Sequence, residues 1–216
     1  MFNKIDFDNY ERAEHYSYYI KFIKTKCNMS YNIDITNLLK FTKQNKLRLY
    51  PSLIYIIMRA VNSIKEMRMA IDKNGDLGYF DYCNPSYTIF HDDDKTFSDI
   101  WTPYDEKFSV FYKNAVSDLE NCKNIKGVKA KPDKPDNFTP VSCVPWISFS
   151  SCSYDTYSDS PMLFPVIVFG KYFFDSSRTL LPFTVFANHA VCDGYHLSLL
   201  INTISSICFN CEEYLV

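Results

Sequence analysis

The segment Phe186-Ala187-Asn188-His189-Ala190-Val191-Cys192-Asp193-Gly194-Tyr195-His196 concentrates side chains that could do chemistry. An apolar run over 180–188 leads into His189, and Asp193-Gly194 supplies a turn and the start of a helix. A histidine at the end of a strand is held by the sheet while its ring can face a cleft. Imidazole has an ordinary pKa of about 6.5, so near neutral pH it can take a proton as a general base. Asp193 could orient that imidazole, bind a metal or cap the following helix, and spacing alone leaves all three open.

A metal centre is the next chemistry to weigh. His189, Cys192, Asp193 and His196 lie close together, but zinc sites usually draw a second pair of ligands at matching spacing. Cys208-x-x-Cys211 is the one candidate pair, and it sits at the end of a helix, so no metal is expected. His91-Asp92-Asp93-Asp94 is explained by a turn after a strand, and His15 by an ordinary half-exposed position. Ser142 sits in Ser142-Cys143-Val144-Pro145-Trp146, a loop or strand with nothing local to activate it as a nucleophile. The chain has no Gly-x-Ser-x-Gly turn and no glycine-rich phosphate loop.

The elements that must carry these residues are read from periodicity. The chain has 216 residues, 47% of them hydrophobic, enough for one substantial core over 1–216. Its 17 Tyr and 18 Phe suit a β-rich core or an aromatic-lined pocket. A short helix is expected over 9–17, then strands within 18–33. Asp34 or Thr36 caps a helix to about Gln44. Pro51 opens a helix over about 51–67, with Leu53, Ile54, Ile57, Val61 and Ile64 at helical spacing. Strands follow at 77–81 and 86–91, a helix at about 105–121, and a loop over 123–140. The Lys123 to Lys134 stretch is locally basic and reads as solvated loop. Two strands, 163–174 and 180–188, precede an amphipathic helix over 195–209. Strands and helices mix without a βαβ rhythm, an α/β (α+β) pattern.

A net charge of −2 argues against a nucleic-acid partner. No secretory apolar region follows Met1, and no apolar run approaches the roughly 18 residues of a membrane helix, so a cytoplasmic protein is expected. The eight cysteines are irregularly spaced and read as reduced, mostly buried thiols.

His189-Ala190-Val191-Cys192-Asp193-Gly194 resembles the His-x-x-x-Asp-Gly motif of coenzyme A-dependent acyltransferases. Chloramphenicol acetyltransferases, dihydrolipoyl acyltransferase cores and peptide-synthetase condensation domains share it. The rest of the chain selects among them: Asn9-Tyr10-Glu11-Arg12-Ala13-Glu14-His15, Ile33-Asp34-Ile35-Thr36, Tyr50-Pro51, Met67-Arg68-Met69-Ala70-Ile71, Thr96-Phe97-Ser98, Ser142-x-x-Pro145-Trp146, Lys171-Tyr172 and Leu180-Leu181-Pro182 are similar to chloramphenicol acetyltransferases, in order and over nearly the whole length.

That resemblance implies a two-layer sandwich with a mixed sheet, and homotrimers whose active sites lie between subunits. It implies acetyl-coenzyme A as co-substrate and chloramphenicol as acceptor, approaching through a tunnel from opposite ends. The family's base falls on His189, its oxyanion-stabilising hydroxyl on Ser142, and its structural ion pair on Asp193 and Arg12. If that pair is buried, losing one partner would cost about 3–5 kcal/mol. Tyr19 and Phe97 fall at the acceptor site. Tyr50, Trp146, Lys171 and Tyr172 fall near the coenzyme, with Arg48 where a lysine is common. Four positions depart from the pattern. Asn188 replaces the first of two histidines, Val168 replaces a threonine near the acceptor, and Cys152 and Tyr154 replace commoner apolar pocket residues. A dihydrolipoyl acyltransferase core is the alternative enzyme, although no lipoyl-like domain is present. A catalytically silent binding protein of the same fold is the alternative outside enzymes.

Overall fold

The computed structural model describes residues 1–154 and 162–216. A seven-stranded mixed sheet forms its frame, made of β2 (Lys26–Asp34), β5 (Asn84–His91), β6 (Thr96–Trp101), β7 (Phe138–Val144), β8 (Val166–Gly170), β9 (Phe173–Asp175) and β10 (Arg178–Asn188). Its order is β2-β10-β8-β7-β5-β6, with β9 beside β10. The β5–β7 and β7–β8 pairs are parallel and the others antiparallel. A small antiparallel sheet of β1 (Phe2–Lys4), β4 (Leu77–Phe80) and β3 (Met69–Ile71) closes one side.

Helices α2 (Thr36–Gln44), α3 (Leu49–Ser63), α4 (Phe108–Cys122) and α5 (Gly194–Phe209) pack on one another and on the large sheet. The central one is α3, buried almost continuously from Pro51 to Val61, and it touches α2, α4 and α5. Alternation decides which face of each strand joins this layer. Val141 and Cys143, Ile167 and Phe169, and Phe183, Val185 and Ala187 belong to the helix-covered core. The residues between them face the opposite side. This is the expected two-layer mixed α/β arrangement. No helix among the described residues is long and apolar enough to cross a membrane.

β10 is the longest strand and tolerates Pro182 for a local reason. β9 pairs with residues 178–180 and β8 with 183–186. Thr179 and His189 exchange their backbone bonds with the β2 side, so Pro182, of opposite parity, directs its missing N–H into the gap between β9 and β8.

Several expected boundaries differ. The first helix, α1, covers Ala13–Tyr18 and begins later than residue 9. Residues Tyr19–Ile23 form a π-helical turn, not strand. Tyr10, Tyr16 and Ile20 pack on the core, the last two at helical spacing, and this outweighs the β-forming composition. Lys24, with φ 50°, then turns the chain into β2. The helix expected to reach 67 stops at Ser63, and Lys65–Arg68 is a 3-10 turn. The single strand expected over 163–174 is two, β8 and β9. The loop expected over 123–140 ends early, since β7 starts at Phe138.

That loop is not freely solvated either. Backbone bonds from Asp99 N to Val128 O and from Ala130 N to Asp99 O cover the outer edge of β6. Lys131 pairs with Asp118 at 2.7 Å and Lys134 with Asp99 at 2.8 Å, each lysine also lying over an aromatic ring. The basic residues are pins for the sheet edge.

Candidate functional site

His189 stands one residue beyond β10. Its N–H donates to Thr25 O at 3.0 Å, continuing the β2 ladder past the end of the strand. Asn188 then reverses the chain. Its carbonyl accepts from Val191 and Cys192 N–H, and its side-chain oxygen accepts from Ala190 N–H at 3.0 Å. The other end of the same side chain donates to Met162 O at 3.3 Å. A histidine before His189 is therefore unnecessary for the turn, because asparagine closes it by itself.

The imidazole of His189 stacks on the ring of Tyr19, with centroids 4.0 Å apart and planes 7° from parallel. Its Nδ1 is buried and has no hydrogen-bond partner among the described residues. A buried polar atom left unsatisfied costs about 1–3 kcal/mol and asks for a reason other than stability.

Asp193 ends the turn as N-cap of α5. One carboxylate oxygen accepts from Tyr195 N–H at 3.0 Å and lies 2.8 Å from His196 Nδ1. The other accepts from Arg12 at 2.9 Å. Burial alone would raise this carboxyl's pKa, but the bonds from His196 and Arg12 outweigh it and hold the group at about 2, below its ordinary 3.8. The ion pair expected from sequence is present, but it is not fully buried: Arg12 is 19% and Asp193 31% exposed at the side chain.

That exposure changes the expected magnitude. Arg12→Ala or Asp193→Ala should cost nearer the roughly 1.5–3 kcal/mol of a charged hydrogen bond than the roughly 3–5 kcal/mol of a sealed pair. A double-mutant cycle on thermal stability should show a coupling, and simple additivity would mean that the pair does not act as one. The folded carboxyl has the lower pKa, so its contribution is complete above about pH 4 and fades as pH falls through about 2.

Ser142 lies elsewhere, in the middle of β7. It is in register with Val168, Val168 with Thr184, and Thr184 with Ser30. This row crosses the sheet on the face turned away from the helices. Ser30 and Thr184 share a hydrogen bond of 2.7 Å, while Val168 is fully buried. His189 follows Thr184 by five residues, and Ser142 is two strands over. At about 3.3 Å per residue and about 4.8 Å per strand, roughly 15–20 Å separates the two within one chain.

The other predicted residues fall into groups. Tyr154 packs its ring on Phe186 at 5.4 Å and, with Lys26, Met162, Phe164 and Val166, lines an apolar hollow of about 50 Å³. Cys152, nearby in sequence, is a half-buried free thiol. Phe97 is exposed on β6 opposite Phe90, and Trp146 packs edge-on against Phe90 at 4.5 Å. Lys171 and Tyr172 form the turn between β8 and β9. Lys171 N donates to Ile147 O, and Ser148 Oγ to Lys171 O, tying that turn to the segment after Trp146. Gly170 permits the crossing, since a Cβ there would meet the Phe149 ring at 2.9 Å.

Tyr50 and Arg48 stand apart, at the start of α3. The Tyr50 hydroxyl donates to Thr88 O at 2.9 Å, and burial pushes its pKa well above the phenol range. Arg48 pairs with Glu120 at 2.6 Å. Two of the four residues clustered at 189–196 are tied to protein partners: the Cys192 thiol donates to Glu66 O, and His196 meets Asp193. All eight cysteines are free thiols, five of them buried.

Sequence reasoning passed over Glu66 and saw His196 only as a possible ligand. The signal was available in part, since position 196 is three residues after a capping aspartate, where a capping box places its second partner.

The architecture that carries this site is one that acyltransferases use. A solved chloramphenicol acetyltransferase superposes with a TM-score of 0.85 at 21% identity, over 96% of this chain and 100% of that one. A dihydrolipoamide acetyltransferase of Azotobacter vinelandii follows with 0.69 at 14% identity, over 88% and 84%. Sequence separates the two possibilities. The family model for chloramphenicol acetyltransferase matches residues 1–205. A chloramphenicol acetyltransferase of Clostridium perfringens is 42% identical, over 99% of this chain and 98% of that protein. One of Bacillus pumilus is 39% identical, over 100% and 97%. The chain belongs to the chloramphenicol acetyltransferase family and is an acyltransferase.

Proposed function

We propose that the protein transfers the acetyl group of acetyl-coenzyme A to a primary hydroxyl of chloramphenicol, with His189 as general base, and so confers resistance to the antibiotic. The observation that carries the reading is the His189 ring itself, fixed by the Tyr19 stack just beyond the end of β10, the longest strand. The hydroxyl attacks the thioester carbonyl while His189 takes its proton. Collapse of the tetrahedral intermediate expels the coenzyme as thiolate, which takes that proton from the His189 imidazolium. No acyl-enzyme is needed, because holding both substrates together supplies much of the rate. Ser142 donates a hydrogen bond to the oxyanion, a bond stronger in the transition state than before it.

The separation of His189 and Ser142 supports a site shared between copies, with His189 of one subunit facing Ser142 of the next in a cytoplasmic homotrimer. On this reading Tyr19, Phe97, Val168, Cys152 and Tyr154 contact the acceptor. Trp146, Lys171 and Tyr172 contact the coenzyme, with Tyr50 and Arg48 holding the α3 end of that site. Thiol release from acetyl-coenzyme A, followed with and without chloramphenicol, tests the activity. Release should depend on chloramphenicol. Release with dihydrolipoamide instead would favour the lipoyl-linked alternative, and none with either acceptor would favour a silent binding protein.

A further inference from the structure

We propose that His196 is a positioning residue for the reaction, acting through Asp193 to fix the 189–193 turn and so the placement of the His189 ring. The proposal rests on reading His189 as the base.

His196 is 8% exposed in the first turn of α5. Its Nδ1 lies 2.8 Å from Asp193 Oδ1 and 3.3 Å from Asp193 N. One ring nitrogen cannot donate to the first and accept from the second. The shorter contact, to a carboxylate, assigns the proton to Nδ1. On the far side of the ring, Nε2 faces Glu66 Oε1 at 3.9 Å, and the Tyr195 ring stands edge-on at 5.4 Å.

Capping α5 does not require this arrangement. Asp193 already caps α5 by accepting from Tyr195 N–H at 3.0 Å, whichever nitrogen of His196 carries the proton. His196 adds control over how the carboxylate is rotated. With Arg12 on Oδ2 and His196 on Oδ1, each oxygen is tied to a different element. Glu66 lies on the far side of the His196 ring. Its side chain faces His196, and its backbone carbonyl accepts from the Cys192 thiol at 3.6 Å. The Lys65–Arg68 turn thus meets this segment on both sides of Asp193, bonded to the Cys192 thiol and lying against His196. Only three residues separate Asp193 from His189, so a rotation at one end is felt as a displacement at the other.

The test uses His196→Ala, His196→Asn and His196→Gln in the full chain, with kcat, KM for each substrate, and Tm. A misplacement near 1 Å can cost about a hundredfold, so His196→Ala should lower kcat roughly tenfold to a hundredfold while both KM values stay within about twofold. The asparagine amide nitrogen falls near Nδ1 and should restore kcat to within about threefold, whereas glutamine, which reaches the Nε2 position, should not. Unchanged kcat in His196→Ala, or equal behaviour of Asn and Gln, would overturn the proposal. So would a loss of activity that only follows Tm. If His196→Ala does not fold, the Asn and Gln comparison decides. His189→Ala, measured alongside, separates the two readings. A fully active His189→Ala refutes the base itself, while an inactive one beside an unaffected His196→Ala refutes only the positioning role.

Discussion

His189→Ala should lower acetyl transfer by about 10²–10⁴-fold, the usual contribution of a general base, while leaving the fold intact. The expectation of an intact fold comes from the surroundings of the ring. The backbone of the turn is held by Asn188, Thr25 and Asp193, none of which needs the imidazole. Among the described residues its Nδ1 has no hydrogen bond that the mutation would break. The Tyr19 ring loses a stacking partner, worth about 0.5–1.5 kcal/mol. Among the described residues of the turn no second base stands ready, since His196 is engaged with Asp193 and faces Glu66. The measurement is turnover beside Tm. A variant within about twofold of wild type in kcat would remove His189 from the mechanism, and a large fall in Tm would mean the ring is structural.

What the sequence disclosed and what it hid have a common physical cause. The 180–188 run and the cap at Asp193 were legible because strand period and cap chemistry are local. The same holds for α3, whose apolar spacing survives any tertiary context. The π-helical turn at Tyr19–Ile23 was hidden because its residues favour strands, and only packing of Tyr16 and Ile20 on a distant core decides the matter. Lys131 and Lys134 read as solvated because their partners, Asp118 and Asp99, come from other elements. The site was legible through resemblance and opaque through geometry. Arg12 meets Asp193 across most of the chain's length, a contact that no local spacing announces. Glu66 was invisible for the same reason, because its role exists only where the 3-10 turn meets α5.

Ser142→Ala should lower kcat by about 10²–10³-fold, the typical loss for one oxyanion donor, with little change in KM. A rise in KM alone would make Ser142 a contact for the ground state and not for the intermediate. Mixing gives the sharper experiment. Ser142 sits on the outward face of β7, in the row shared with Val168 and Thr184, and His189 lies beyond the end of β10. Over a distance of roughly 15–20 Å the two cannot reach one acyl group from the same chain. On the proposed roles, the active site draws its base from one copy and its oxyanion donor from another. His189→Ala chains retain Ser142, and Ser142→Ala chains retain His189. Unfolded together in equal amounts and refolded, they assemble at random. A given interface receives an intact base from one side with probability one half and an intact hydroxyl from the other with the same probability, so about a quarter of wild-type activity should return in the closed ring. Each variant refolded alone should stay near its own residual rate. Recovery near a quarter supports a shared site directly. Activity no higher than the mean of the two separate variants would place base and hydroxyl in one chain, and the proposed partition of roles between subunits would have to be abandoned.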